Sequence, residues 1–283
     1  MEQTILIPID GTESVAETLL YVRSISPKSK DQSHIILMHV TPSVDSVNAA
    51  VEIHPNVDTI HNELSSEGWD VKRETRMGDP VREIIKMAIL LPATMILMST
   101  HGRTGIERIR EGSVTEQVLK QSPCPVFILH SSRPAPSDKR TENLFKRILV
   151  PLDGTEASAA IISCVERFAK MHDSEVIIFH DELEHAEYEE EKAVIKAKLQ
   201  EQSVALANNG LKVSLDMTTY KKPIREILNR IDELNIDLVS MATHGTDGDK
   251  IAMDESVTAE VIRHSNCPLL VWSAEPQCPT VND

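Results

Sequence analysis

The seventeen residues from Ser99 to Thr115 have the composition of an anion cradle: Ser99-Thr-His-Gly102-Arg103-Thr-Gly105-Ile-Glu-Arg-Ile-Arg-Glu-Gly112-Ser113-Val114-Thr115. Gly102 and Gly112 bracket nine residues, and the second glycine leads into a helix-like start. Glycines let backbone approach a polyphosphate closely, the unsatisfied N–H groups of a helix start face the anion, and Ser113 and Thr115 add hydroxyl donors. The segment lacks the Gly-Lys-Ser/Thr ending of a P-loop. It also follows the fourth strand-like run, which sets it apart from the dinucleotide fingerprint after a first strand.

A loop of this kind works only if strands hold it open. Apolar, β-branched runs alternate with helical periodicity along the chain, the pattern of βαβ units around a parallel sheet. In the first half strands are expected at Thr4–Ile9, His34–Val40, Val71–Thr75, Met95–Ser99 and Val126–Leu129, with helices at Ser14–Ser24, Val57–Glu67, Pro80–Ile89 and Ser113–Lys120. The second half repeats the strands at Arg147–Leu152, Glu175–His180, Lys212–Met217, Leu238–Met241 and Leu269–Trp272. Its second helix is longer and carries Ile195, Leu199, Gln202 and Leu206 on one face. Such sheets bind ligands beyond the carboxyl ends of their strands, near the switch point of strand order. That places Asp10-Gly11-Thr12, His39-Val40-Thr41 and the residues from Met98 onward at the mouth.

The two halves are one sequence written twice. Ile5 to Glu13 (ILIPIDGTE) returns as Ile148 to Glu156 (ILVPLDGTE), an offset of 143 that also joins Thr100-His101-Gly102 to Thr243-His244-Gly245 and Cys124-Pro125 to Cys267-Pro268. A period this long marks a duplicated domain rather than a solenoid, whose repeats run to about 20–50 residues. The expected organisation is a domain over 1–131, a Pro-containing polar linker over 132–144, a second domain over 145–275 and a tail over 276–283. The fold class is α/β: two tandem open five-stranded parallel sheets with helices on both faces.

Charge separates the copies. Residues 1–140 hold 15 Lys and Arg against 18 Asp and Glu, and residues 141–283 hold 14 against 26. Such acidity repels a phosphate backbone, so nucleic acid is not an expected partner. Much of the excess lies in Asp181-Glu182-Leu183-Glu184 and Glu187 to Glu191, read as the solvated opening of a helix. No apolar run reaches the ~18 residues of a membrane helix, and Met1 leads directly into a strand-like segment, so a cytoplasmic protein is expected. Cys124, Cys164 and Cys267 lie in or beside apolar segments as buried residues of a reduced protein.

Several segments together resemble the universal stress protein family: Ile7-Pro8-Ile9-Asp10-Gly-Thr, Leu37-Met-His-Val40, Gly78-Asp-Pro80 before a helix, Thr100-His-Gly102-Arg103-Thr-Gly105, Gly112-Ser113-Val114-Thr115 and Ser122-Pro-Cys-Pro125. The resemblance covers nearly all of the first half and recurs over the second, and it implies a Rossmann-like fold of the adenine nucleotide alpha hydrolase type. Nucleotide-binding members use a Gly-x2-Gly-x9-Gly-Ser/Thr motif for ATP. Here Ser99 takes the place of the first glycine, and Gly102-x9-Gly112-Ser113 fits the rest. The resemblance implies that Pro8, Ile9 and Asp10 meet the adenosine, that Val40 faces adenine through its main chain, and that Met98, Ser99, Gly102, Arg103, Gly112, Ser113, Val114 and Thr115 line the ribose and phosphates. The implied ligand is ATP or AMP, with or without Mg²⁺, and the implied role is stress-response regulation or sensing.

In the second half Ala242 and Glu255 stand where Ser99 and Gly112 stand in the first, and Lys221 replaces Gly78. The loop from 99 to 113 holds three arginines and two glutamates, whereas 242 to 256 holds Lys250 against Asp247, Asp249, Asp254 and Glu255. A carboxylate where a phosphate would sit costs on the order of 4 kcal/mol at 4 Å and an effective dielectric near 20. The second half is therefore expected to keep the fold and lose polyphosphate binding. A divalent-cation site built from these acids, with Asp153, is the competing reading. No catalytic constellation can be assembled: Asp10 and Asp153 suit helix starts, and the twin histidines His39/His180 and His101/His244 suit framework roles. A slow ATPase and an interaction module without nucleotide remain the alternatives to a sensor. The halves are expected to pair about a pseudo-twofold, with an unidentified protein partner or further homodimerisation beyond that.

Overall fold

The computed structural model describes residues 2–11, 13–26, 32–41, 55–100, 114–130, 144–182, 189–219, 222–243 and 257–273. The chain divides into two compact units that meet in sequence between Glu142 and Asn143. All but residue 144 of the linker expected at 132–144, and the whole 276–283 tail, lie outside the described residues.

Unit one runs β1 (Gln3–Pro8), α1 (Val15–Ile25), β2 (Ser33–Thr41), α2 (Pro55–Ser66), β3 (Asp70–Met77), α3 (Pro80–Leu90), β4 (Met95–Thr100), α4 (Val114–Gln121) and β5 (Val126–His130). Its strands lie in the order β3-β2-β1-β4-β5, and the pairs β1–β2, β1–β4, β2–β3 and β4–β5 are parallel. Helices α1 and α2 pack together, as do α3 and α4, one pair on each face. Because both faces are covered, the central strands read as continuous apolar runs rather than alternating ones. Ile5, Leu6, Ile35, Leu37, Ile96 and Phe127 are all within 1% of complete burial. Each such side chain contributes roughly 1.5–3 kcal/mol. β3 stands at the edge, and its sequence is accordingly polar and largely exposed.

Unit two repeats the plan with β6 (Arg147–Pro151), a one-turn α5 (Glu156–Ala159), α6 (Ile162–His172), β7 (Glu175–Asp181), α7 (Glu189–Asn208), β8 (Lys212–Thr218), α8 (Pro223–Glu233), β9 (Leu238–Thr243), α9 (Val257–His264) and β10 (Leu269–Ser273). The order is β8-β7-β6-β9-β10, again through parallel pairs. The two five-stranded α/β units expected from the repeat are both present. Leu199 and Leu206 of α7 are buried, with Ile195 and Gln202 half-buried beside them.

One expectation is corrected. Asp181 and Glu182 do not open a helix: Asp181 is the last residue of β7, paired with Thr218, and α7 begins at Glu189. Local acidity suggested a helix start, but the strand ladder holds Asp181, and the Glu182 N–H donates to the Thr218 carbonyl at 2.6 Å.

Candidate functional site

In the order β3-β2-β1-β4-β5 the chain reverses its direction of sheet growth between β1 and β4, and the mouth lies beyond their carboxyl ends. Pro8, Ile9 and Asp10 leave β1 there. Val40 sits next to the end of β2, Met98 and Ser99 near the end of β4, and Val114 and Thr115 open α4. The fold thus gathers eight of the twelve sequence-predicted residues at one end of one sheet. Gly102, Arg103, Gly112 and Ser113 lie outside the described residues.

The ends of β1 and β2 are sewn together. Ile9 N–H donates to the Met38 carbonyl at 2.8 Å, and His39 Nδ1 lies 2.9 Å from the Ile9 carbonyl oxygen. A carbonyl has no hydrogen to give, so Nδ1 carries the proton and donates. Unit two repeats the device: Leu152 N–H donates to Phe179 O at 2.9 Å, and His180 Nδ1 donates to Leu152 O at 2.7 Å. Both histidines are framework residues.

Past β1 the chain turns at Gly11, whose φ of 96° suits a residue without Cβ. The Glu13 carboxylate accepts the N–H of Asp10 at 2.6 Å and of Gly11 at 2.9 Å, while Asn56 Nδ2 of α2 donates to the carbonyls of Gly11 and Glu13 at 3.1 and 3.2 Å. Two donors that an anion would want are already engaged by a carboxylate. This corner therefore favours the uncharged or hydrogen-bond-donating part of a ligand over its phosphates. Burial raises the Glu13 pKa, and the Asp10 charge adds to the rise against the lowering effect of the backbone N–H groups. Glu17, in the first turn of α1, is pushed up to about 7 by burial. Ser14 caps that helix by accepting the Glu17 N–H at 3.3 Å.

β4 supplies the other wall. Tyr21 of α1 meets Phe127 of β5 with ring centroids 6.0 Å apart, and Phe127 pairs in register with Leu97. Strand alternation then puts Ser99 on the face that α1 covers and Met98 on the opposite face. Ser99, Val40 and Thr115 are half-buried, and Val114 is exposed. Among the described residues Thr115 makes no hydrogen bond to Ser99 across the mouth.

Unit two differs at each of these positions. Thr258, the counterpart of Thr115, is 4% exposed and its hydroxyl donates to the carbonyl of Ala242, the counterpart of Ser99, at 3.2 Å. Asp181 occupies the place of Val40, with Oδ1 accepting from Thr218 Oγ1 at 2.9 Å and Oδ2 from the Lys222 N–H at 2.8 Å. Gly154, the counterpart of Gly11, lies beneath Ile195 so closely that a Cβ would meet its Cγ1 and Cγ2 at 2.9 Å. Asp153 Oδ1 accepts from Thr155 N–H at 2.9 Å and Thr155 Oγ1 at 2.6 Å, and Thr155 caps α5. Among the described residues there is no group of three or more His, Cys, Asp or Glu placed to hold a metal.

Glu13, Asn56, Asp181 and Ile195 were missed from sequence. Asp181 was within reach, because the offset of 141 that aligns His39 with His180 also aligns Val40 with Asp181.

The fold defines a doubly wound α/β protein whose strand order switches between β1 and β4. The universal stress protein family matches residues 1–130 and again 144–272, and the chain belongs to that family as a tandem member. Universal stress protein MJ0531 of Methanocaldococcus jannaschii is 31% identical over 141 residues, covering 44% of this chain and 80% of that protein. Universal stress protein MJ0577 of the same organism is 30% identical over 156 residues, covering 46% and 95%. A crystal structure of a universal stress protein from Archaeoglobus fulgidus shares the fold, with a TM-score of 0.68 and 22% identity over 96% of this chain and 98% of that one. Among the described residues no helix is long and apolar enough to cross a membrane.

Proposed function

We propose that the chain is a cytoplasmic stress-response regulator that binds one adenine nucleotide, ATP or AMP, in unit one, and that unit two is a scaffold without polyphosphate binding. The observation that carries this reading is the pair Thr115 and Thr258. Thr115 is half-buried and makes no bond to Ser99 among the described residues, whereas the Thr258 hydroxyl is spent on the backbone of β9 in unit two. Pro8, Ile9, Asp10 and Val40 would contact adenosine, while Met98, Ser99, Val114 and Thr115 would line the phosphate side with Gly102, Arg103, Gly112 and Ser113. The residues fit such a ligand: the Glu13 carboxylate engages the loop amides near the nucleoside end, and the mildly basic 99–113 loop supplies the phosphate end. A sensor is favoured over an ATPase because His39 Nδ1 is committed to the Ile9 carbonyl and Glu13 to backbone N–H groups, which leaves neither placed as a general base.

The test is stoichiometry on the full chain. Nucleotide released by denaturing the purified protein and identified by mass spectrometry, together with calorimetric titration of ATP and AMP, should give one equivalent per chain. Two equivalents would overturn the asymmetry. An empty protein with no thermal shift in either nucleotide would overturn binding itself.

A further inference from the structure

Arg76 stands next to last in β3, and the strand ladder sets it beside Val40 of β2. Adjacent strands lie about 4.8 Å apart, so the two residues are neighbours at the mouth. Arg73 pairs with Asp58 of α2, which puts the odd positions of β3 under that helix and Arg76 on the opposite face. Leu6 pairs with both Ile36 and Ile96, so Pro8, Val40 and Met98 share that face with Arg76. The backbone there is pinned: Thr41 Oγ1 donates to the Arg76 carbonyl at 3.2 Å, and the Gly78 N–H donates to the Thr41 carbonyl at 3.0 Å.

The guanidinium of Arg76 is only partly engaged. Its Nη2 lies 3.3 Å from a Glu74 carboxylate oxygen, whereas Nε is buried and makes no hydrogen bond among the described residues. A buried donor on a charged group is costly to leave unpaired.

Unit two satisfies the same pair of positions without a ligand. Asp181 and Thr218 are the counterparts of Val40 and Arg76 and stand in the same register, and Thr218 Oγ1 donates to Asp181 Oδ1 at 2.9 Å. Valine has no atom that could accept such a bond. Unit one therefore sets a cationic donor at this place with an apolar neighbour where its twin has a carboxylate.

We infer that Arg76 is a specificity-determining residue of the unit-one mouth, donating from Nε to a ring nitrogen of the bound purine. The inference rests on the adenine-nucleotide reading of unit one, in which Val40 is the residue beside the base. A ring nitrogen is an acceptor without a hydrogen, as a guanidinium N–H requires.

Calorimetric titration of the full chain with ATP and its 1-deaza, 3-deaza and 7-deaza analogues reads the contact directly. The parent should bind one analogue roughly tenfold more weakly than ATP, and Arg76→Met should lose about as much for ATP while no longer telling that analogue from ATP. Glu74→Gln removes the ion pair and keeps the donor, so it should bind ATP as the parent does. A parent that binds all the analogues as tightly as ATP overturns the inference, whatever the variants do. Additive losses from analogue and variant overturn it too, and a loss in Glu74→Gln equal to that in Arg76→Met would reduce Arg76 to a structural ion pair. In each of these cases ATP still binds and the proposed function stands. A parent that binds no nucleotide overturns that function and this inference with it.

Discussion

The crevices of units one and two share a backbone plan and differ in what their side chains do with it. In unit one the mouth between β1 and β4 has a half-buried Thr115, a half-buried Val40 and a first loop held from one side by Asn56. In unit two Thr258 bonds Ala242, Asp181 bonds Thr218 and Lys222, and Ile195 covers Gly154. Among the described residues of the second mouth, Thr258, Asp181 and Asp153 each have a partner within the fold. A ligand would have to displace those bonds, and satisfied buried groups cost about 1–3 kcal/mol each to leave unpaired. The same backbone plan thus carries different side-chain bonding in its two copies, without any change of fold.

Copying unit two into unit one should break the comparison most completely. Gly112→Glu puts a carboxylate where phosphate is proposed, and at ~4 kcal/mol this should weaken nucleotide affinity by roughly 10²–10³-fold while leaving the melting temperature of the ligand-free protein nearly unchanged. Isothermal titration would read it, and an unaltered affinity would move the phosphate site away from this loop.

The next effect is on stability. Gly154→Ala combines a φ of 84° with a Cβ only 2.9 Å from Ile195, whereas Gly210→Ala has a similar φ of 90° and open space around it. The first should cost on the order of 3 kcal/mol and the second about 1 kcal/mol. Equal losses in urea denaturation would show that Ile195 yields freely and does not seal the loop.

Glu17 sharpens the comparison through pH, since its counterpart in unit two is Ala160. Burial raises its carboxyl from an ordinary 4.5 to about 7. The folded protein therefore holds this proton more tightly than the unfolded chain, so the associated stability is present below pH 4.5 and is lost as pH rises to about 7. Glu17→Gln should be more stable than the parent at pH 8, by on the order of 1 kcal/mol, and the gap should close by pH 4. Calorimetric melts at the two pH values would check it; a constant gap would mean that burial of the charge is not the cause.

Much of this architecture can be read before folding. The βαβ alternation, the two copies and the 143-residue offset follow from local periodicity and repeated strings, which need no knowledge of distant contacts. The strands lie within about two residues of their expected positions, and Ser14 and Pro80 mark helix starts as their chemistry requires. The same local reasoning misjudged Asp181, because acidic residues before a helix look alike whether solvated or bonded. Its partners, Thr218 and Lys222, lie 37 and 41 residues away.

By itself the sequence determined that this protein is a tandem α/β chain with one glycine-bracketed loop and one acidic copy of it. Only the tertiary structure decided which donors and acceptors remain available at each mouth. Backbone pattern is a local property, set by side-chain size and spacing. The satisfaction of a polar group depends on what the fold brings within 3 Å of it, as Asn56 reaches Gly11 across 45 residues in one unit and Thr258 reaches Ala242 across 16 in the other.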